Sequence, residues 1–420
     1  MHKLQVLLKY FYYANPAIAL ALLGLPLYIY LPTFYAQELK FGVFEVGIVL
    51  FIARAFDVFF DLFIGFIADR YAFKKMLIAF GALILVASFY FLSHPSENAG
   101  ITWLFGFSVL VYVGWSMMSV PYYAIGAQIG ATYHQNTLYA SAREMFNILG
   151  VVTALVLPYI FNVADESSEA LHLMFEVIVV SLAVTLSIFL STVKLPKLQQ
   201  HFKSFQEAFK SLYEALVHSR ALFLSFFLNS FANAIPATLF LLYVELVLEA
   251  KQYTGILLII YFLSGVIALP FWVHLSKKYG KKKVWTASMV SASFFFSCVV
   301  FLQSGDIIPF MIITVLSGLS LGADMALPAS MQSDIVQNRL EESSGALFGF
   351  FAMLTKLSLA AGVGLAFSIL GLVSFEPAAP TKNSLLTLSL LYGLAPVALK
   401  IAAIYFLRNY REIQNHNKVT

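Results

Sequence analysis

Long apolar runs, separated by short polar stretches, follow one another along the whole chain. Each run has about 20 residues or more, which is the length that an α-helix needs to cross the hydrocarbon core of a bilayer. Three prolines near the start, at positions 16, 26 and 32, predict bends in the first helix. The pattern predicts twelve membrane-spanning helices, over residues 11–36, 43–68, 76–94, 101–126, 140–163, 171–194, 219–247, 253–275, 283–304, 307–333, 343–371 and 384–407.

Residues 195–218 follow a different pattern. Their apolar side chains recur at spacings of three and four, while lysine and glutamate occupy the opposite face. This spacing predicts an amphipathic helix that lies on the membrane surface or docks on the protein's own cytoplasmic face. We therefore expect an all-α membrane protein with an N-terminal six-helix bundle (1–194), a linker helix (195–218) and a C-terminal six-helix bundle (219–420).

The composition excludes several other classes of protein. Hydrophobic residues make up 60% of the chain and charged residues 11%, against about 25% charged in soluble domains. The net charge of +4 is too small to suggest a nucleic-acid partner, and the single cysteine, Cys298, excludes an intrachain disulfide. The chain has no H-E-x-x-H, G-x-S-x-G or P-loop motif, so we expect neither an enzyme nor an ATP-driven pump, and no cofactor.

Basic residues predict the orientation in the membrane. Of the 26 lysines and arginines, only Lys40, Lys251 and Lys382 fall in the predicted outer loops. Cytoplasmic loops carry an excess of lysine and arginine, so this asymmetry places both termini in the cytoplasm. We expect a multi-pass protein of the cell inner (plasma) membrane, with the lipid bilayer as its surroundings.

The second predicted helix carries the most informative polar residues. Arg54, Asp57, Asp61 and Gly65 lie on one face of it, because their spacings are three and four. A charge near the middle of a bilayer is costly unless it has a partner, so this face must look inward. Two carboxylates one turn apart repel each other unless a proton or a cation lies between them. The sequence therefore predicts a site for H⁺ or Na⁺, and the alternative is a salt-bridged cluster that only holds helices together.

A short basic motif occurs at equivalent places in the two halves. Residues 65–75 read GFIADRYAFKK after the second helix, and residues 277–283 read KKYGKKK after the eighth. Both resemble the loop G-x-x-x-D-R-x-G-R-K/R of the major facilitator superfamily, although the second copy lacks the acid. The resemblance implies the fold of that superfamily, in which two halves alternate around a central site. We also expect Asp69 and Arg70 to act in gating at the inner loop, with Asp69 capping the N-terminus of a helix in the partner bundle.

Further motifs resemble those of the glycoside–pentoside–hexuronide:cation symporters, whose best-known members are the melibiose permeases. The second helix matches R-x-x-D-x-x-x-D-x-x-x-G, and residues 115–123, WSMMSVPYY, are similar to that family's fourth helix. The resemblance implies that Asp57 and Asp61 hold the coupling cation and that the hydroxyl of Ser116 assists them. If the ion is Na⁺, the two acids are its ligands.

The same resemblance extends to helices five, seven, ten and eleven. The segment around Arg143 matches a family segment whose arginine contacts sugar, and the segment around Lys356 matches one whose lysine lies near the cation. Asp334 resembles a residue at the end of helix ten, and we expect it to act in gating. We expect the solute to contact cavity-facing polar residues of several helices, namely Tyr28, Ser119, Tyr123, Arg143, Asn147, Asn229, Asn233, Asp324 and Lys356.

Some positions depart from the melibiose permeases. Ala21 and Ser119 stand where that family has carboxylates that grip sugar, and Tyr123 stands for a tryptophan that stacks on it. Phe60 replaces an asparagine next to the second cation ligand. These departures leave both the solute and the choice between H⁺ and Na⁺ open.

The sequence thus leaves three hypotheses about function. The first is a monomeric cation:solute symporter for a small solute, a sugar or a glycoside, that works by alternating access. The second is a proton-driven exporter or a lysolipid carrier of the same fold, which the loss of the sugar-gripping carboxylates favours. The third is a membrane sensor that binds solute without transport, or a membrane-embedded enzyme.

Overall fold

A computed structural model describes residues 2–70, 73–164, 166–195, 205–339, 344–377 and 379–412. Residues 196–204 of the predicted linker lie outside the described residues. The described part is helical almost throughout. Eleven of its helices are long and apolar enough to cross a membrane. The twelfth, Val43–Arg70, has 28 residues but carries Arg54, Asp57 and Asp61 near its middle. The predicted all-α fold is confirmed.

We number the twelve helices in chain order. In the N-terminal half they are α1 (Leu7–Glu38), α2 (Val43–Arg70), α3 (Lys74–Ser93), α4 (Ile101–Ile129), α5 (Tyr133–Ile160) and α6 (Ser167–Thr192). In the C-terminal half they are α7 (Phe205–Leu242), α8 (Thr254–Tyr279), α9 (Lys281–Cys298), α10 (Ile307–Arg339), α11 (Ser344–Leu372) and α12 (Lys382–Leu407).

Two helices are irregular at residues that weaken the backbone ladder. Helix α1 is a series of short segments, and π-helical turns begin at Pro26 and at Phe34. Proline removes a backbone donor and crowds the preceding turn, which accounts for the irregularity at Pro26. In α7 the backbone leaves helical geometry at Ser219, so the part before it is set apart from the spanning part. That first part buries Leu212 and Ala215 and exposes Phe209.

The chain divides into two compact units. The first comprises Met1–Tyr213 and Gln332–Met353, and the second Glu214–Met331 and Leu354–Thr420. The ends of α10 and α11 that flank residues 340–343 therefore belong to the first unit.

Aromatic residues form much of the core of each unit. In the first, the rings of Tyr13 and Tyr122 stack with centroids 5.0 Å apart, and Tyr122 donates a hydrogen bond to the carbonyl of Tyr13 at 3.0 Å. In the second, Tyr243 stacks on Tyr392 at 4.3 Å and donates to the carbonyl of Val299 at 2.9 Å. Each of these two tyrosine hydroxyls thus has a partner, as is usual for a buried polar group.

Candidate functional site

The two acids of α2 are buried in the first unit and meet one hydroxyl of α4. Asp57 and Asp61 are 3% and 1% exposed, and Ser116 is 1% exposed. The Ser116 Oγ lies 3.1 Å from Oδ1 of Asp57 and 2.6 Å from Oδ1 of Asp61. The structure therefore brings together the three residues that the sequence predicted as a cation site.

The chemistry of this trio favours a shared positive charge. A hydroxyl has one proton, so Ser116 can donate to only one carboxylate at a time. The second contact is favourable when a proton or a cation is shared among the three oxygens. Carboxylate and hydroxyl oxygens are hard ligands of the kind that alkali and alkaline-earth cations prefer. That these three residues hold a coupling ion stays a prediction.

Arg143 on α5 has a counter-ion next to it in the sequence. Its Nε and Nη2 donate to Oε1 of Glu144, at 2.9 and 2.5 Å, and both side chains are buried. The guanidinium also lies over the ring of Tyr123, 4.3 Å from its centroid. Asn147 donates to Oε2 of Glu144 at 3.4 Å. These contacts order Arg143 and neutralise its charge.

The other predicted contacts of the first unit lie on α1 and α4. Ser119 is buried, between Ser116 and Tyr123 along α4. Tyr28 is 41% exposed, its ring faces the guanidinium of Arg54 at 4.2 Å, and it stacks on Trp115. The contacts of these residues with solute stay predictions.

A second buried polar cluster occupies the other unit. Lys400 on α12 lies 2.9 Å from Oδ2 of Asp324 on α10 and donates to Oδ1 of Asn229 on α7 at 2.7 Å. Asn233 donates to Oδ2 of Asp324 at 3.1 Å, and the indole N–H of Trp285 donates to its Oδ1 at 3.0 Å. Four helices thus converge on one carboxylate.

A cavity of about 220 Å³ lies beside this cluster, within the second unit. Asn233 is part of both the cavity lining and the cluster. Most of the other lining side chains are aromatic or aliphatic, among them Phe240, Phe262, Phe296 and Phe310. Lys356, in the same unit, is half-buried on α11. The cavity can accept an apolar group.

Asp69 caps the start of α11. Its carboxylate accepts hydrogen bonds from the backbone N–H groups of Gly345 and Ala346, both at 2.7 Å, and lies 3.4 Å from Nζ of Lys74. The first N–H groups of a helix have no partner within it, and the helix dipole favours a negative charge there. Arg70, next in the chain, is exposed at the end of α2.

Asp334 near the end of α10 is also paired in the first unit. It is 3% exposed and accepts a hydrogen bond from Asn136 on α5 at 2.9 Å. The side-chain amide of Gln337 donates a hydrogen bond to Oδ1 of the same Asn136 at 3.1 Å. Asp334 thus joins α10 to α5, and Asp69 joins α2 to α11. Their gating roles stay predictions.

The comparisons with known proteins agree with this geometry. Residues 12–411, nearly the whole chain, match the family described as MFS/sugar transport protein. The chain belongs to this family. It is therefore a multi-pass membrane protein of a transporter family, and the predicted resemblance to that family is confirmed.

Two relatives carry the family resemblance into named transporters. The chain is 30% identical over 206 residues, 47% of its length and 39% of the relative's, to the sphingosine-1-phosphate transporter MFSD2B of Xenopus tropicalis. It is 22% identical over 442 residues, 92% of its length and 82% of the relative's, to the sodium-dependent lysophosphatidylcholine symporter 1-A of Danio rerio.

A solved structure shares the fold. The fucose:proton symporter FucP of E. coli superposes with a TM-score of 0.72 at 15% identity, and the match covers 97% of this chain and 99% of that one. The predicted fold of the major facilitator superfamily is thus confirmed.

In this member of the MFS/sugar transport protein family, sequence reasoning missed three paired residues. Glu144 was not among the predicted site residues, because its place in the sequence suggested the cytoplasmic edge of the fifth helix. Lys400 and Trp285 were also unassigned. The available signal for Glu144 and Lys400 was a charge within an apolar span, which by default marks a functional position.

Proposed function

We propose that this protein is a cation-coupled symporter for single-chain, phospholipid-like amphiphiles. The observation that carries the coupling is the contact of one hydroxyl, that of Ser116, with two buried carboxylates. Binding of a cation between Asp57 and Asp61 removes their mutual repulsion and favours the state that the solute also favours. Coupling of this kind is typically worth about 1–3 kcal/mol.

We favour Na⁺ as the coupling ion. Two carboxylates and a hydroxyl supply oxygen ligands, and a relative that matches 92% of this chain is named a sodium-dependent symporter. Protons are the alternative, because carboxylates that repel each other can also share a proton. A transport assay with separately imposed Na⁺ and pH gradients distinguishes the two.

Three features support a lysophospholipid-like solute over a sugar. Both named relatives are transporters of single-chain phospholipids or of a related phosphate ester. Ala21 and Ser119 offer no carboxylate at the positions where a sugar would be gripped. The cavity of the second unit is lined mainly by apolar side chains, which suit an acyl chain better than a carbohydrate.

A sugar remains the second candidate. The description of the family includes sugar transport, and the cation motif of α2 resembles that of the melibiose permeases. Uptake of a glycoside, with no uptake of lysophospholipid, would favour it.

The test is uptake into proteoliposomes that hold the purified protein. We expect labelled lysophosphatidylcholine to accumulate when Na⁺ is high outside and to equilibrate without a gradient. Asp57→Asn and Asp61→Asn should abolish accumulation but preserve the fold, because asparagine has nearly the same shape. Asp306→Asn, in the loop before α10, is the matched control and should accumulate lipid normally. Full accumulation by either acid variant would disprove the coupling.

A further inference from the structure

Arg54 lies at the edge of the face of α2 that carries the two buried acids. At 100° per residue, it is on the same side as the buried Asp57 and Asp61. Phe59, which is 72% exposed, lies about 140° round the helix from Arg54, whereas Phe51, which is 71% exposed, lies about 60° from it. Arg54 itself is half-buried. Its side chain therefore lies between the buried face and an exposed face of the helix.

An aromatic ring positions the guanidinium. Its carbon lies 4.2 Å from the centroid of the Tyr28 ring, which in turn stacks on Trp115 with centroids 6.5 Å apart. A guanidinium over an aromatic face is attracted by the negative π-cloud and keeps its N–H groups at its edge. The arrangement orients the planar group without using its donors.

Three buried basic residues in the described spans have counter-ions. Arg143 is paired with Glu144, Lys74 with Asp69 and Lys400 with Asp324. Within the described part of the chain, the guanidinium of Arg54 makes no ion pair and no hydrogen bond, and its stacking on Tyr28 is its one close contact of this kind.

We propose that Arg54, supported by Tyr28, binds the phosphate group of the transported solute. Arginine presents two parallel N–H groups that match two phosphate oxygens, and such charge-assisted pairs are among the stronger hydrogen bonds. Arg54 precedes Asp57 by one turn of α2, so the phosphate lies next to the coupling cation and is attracted to it. This inference rests on the proposed function and names the group that recognises the solute's head.

The test compares three ligands that separate phosphate from acyl chain. Oleoyl lysophosphatidylcholine carries both, monooleoylglycerol has the chain without phosphate, and glycerol 3-phosphate has phosphate without the chain. Affinities are measured by thermal stabilisation of the full-length protein in dodecyl maltoside, a detergent without phosphate. Neither the detergent nor monooleoylglycerol carries phosphate, so a difference in affinity between the two lipids reports on the phosphate-containing head of lysophosphatidylcholine.

We expect Arg54→Gln to weaken lysophosphatidylcholine binding by at least about tenfold, as loss of charged hydrogen bonds implies, and to leave monooleoylglycerol binding unchanged. Arg54→Lys keeps the charge but loses the planar pair of donors, so its affinity should be intermediate. Tyr28→Leu should also weaken binding, whereas Tyr28→Phe should not. Arg408→Gln, the same change at an exposed position, is the matched control and should bind like the unmodified protein.

The outcomes separate this inference from the function on which it rests. If the unmodified protein prefers lysophosphatidylcholine and Arg54→Gln keeps that preference, the inference is wrong while the function stands. A changed Na⁺ dependence without a change in phosphate preference would make Arg54 a counter-ion of the acids, which also overturns it. If glycerol 3-phosphate binds through Arg54 and neither lipid binds, the phosphate site stands and the amphiphile function fails. Should Arg54→Gln not fold, unchanged affinity in Arg54→Lys would overturn the proposal.

Discussion

At the scale of single residues, burial dictates partners. The ammonium group of Lys400 is 1% exposed and donates to Asn229 and Asp324. A charge removed from water to this extent is tolerated only with a counter-ion and hydrogen bonds. Asp324 in turn accepts from Trp285 and Asn233, so both of its oxygens are used. We therefore expect the loss of either Lys400 or Asp324 alone to destabilise the fold more than the loss of both charges together.

We expect Lys400→Met to lower the stability of the protein by about 3–5 kcal/mol, because it leaves the carboxylate of Asp324 buried without a counter-ion. The double variant Lys400→Met with Asp324→Asn should regain most of that stability, since the amide still accepts from Trp285. Thermal unfolding in detergent, with both single variants, completes the cycle. Additive effects of the two substitutions would contradict the pairing.

At the scale of helices, small residues decide how closely two backbones approach. A β-carbon on Gly65 of α2 would collide with the carbonyl of Gly345 at the start of α11, and one on Gly345 would collide with the carbonyl of Gly65. Gly349 lies one turn further along α11, and a β-carbon there would collide with the carbonyl of Asp61. Interfaces between membrane helices are enriched in small residues for this reason. The close approach also places the Asp69 carboxylate at the N-terminus of α11.

We expect Gly65→Leu to separate the start of α11 from α2 and to destabilise the packed form by about 1–3 kcal/mol, as overpacking does. Cys298 is the only cysteine, so a Cys298→Ser background allows one reporter. Ala346→Cys, at a position with 0% exposure, should resist alkylation in that background and react once Gly65→Leu is added. Gly255→Leu, where a β-carbon meets nothing, is the control and should leave the reporter protected.

At the scale of the whole molecule, the distribution of basic residues determines the predicted orientation. Lys40 and Lys382 lie in exposed segments that border predicted outer loops, whereas Lys278 is exposed at the other end of α8. Positively charged loops are retained in the cytoplasm during insertion, so the asymmetry predicts cytoplasmic termini.

A membrane-impermeant maleimide tests this orientation in intact cells. In the Cys298→Ser background, Lys40→Cys and Lys382→Cys should be labelled from outside, because their loops face the exterior. Lys278→Cys should be labelled only after the membrane is permeabilised. The reverse pattern would invert the assigned topology and place the cap formed by Asp69 on the outer side.

Much of the fold follows from the order of residues. A membrane-spanning segment must satisfy its own backbone hydrogen bonds, so a long apolar run has little choice but to be helical. The number of helices and the inward face of α2 could therefore be predicted. The trio of Asp57, Asp61 and Ser116 was accessible only through its resemblance to a known family, since Ser116 is 59 and 55 positions from the two acids.

What the sequence by itself determined is which residues cannot face lipid, because the cost of burying a charge in hydrocarbon depends only on the side chain and its place in a span. Only the tertiary structure decided which partner each charge has. Arg143 and Glu144 are neighbours in the chain, whereas Lys400 and Asp324 are 76 positions apart and Asp334 and Asn136 are 198 apart. Such pairings depend on helix packing, and periodicity within one helix carries no information about it.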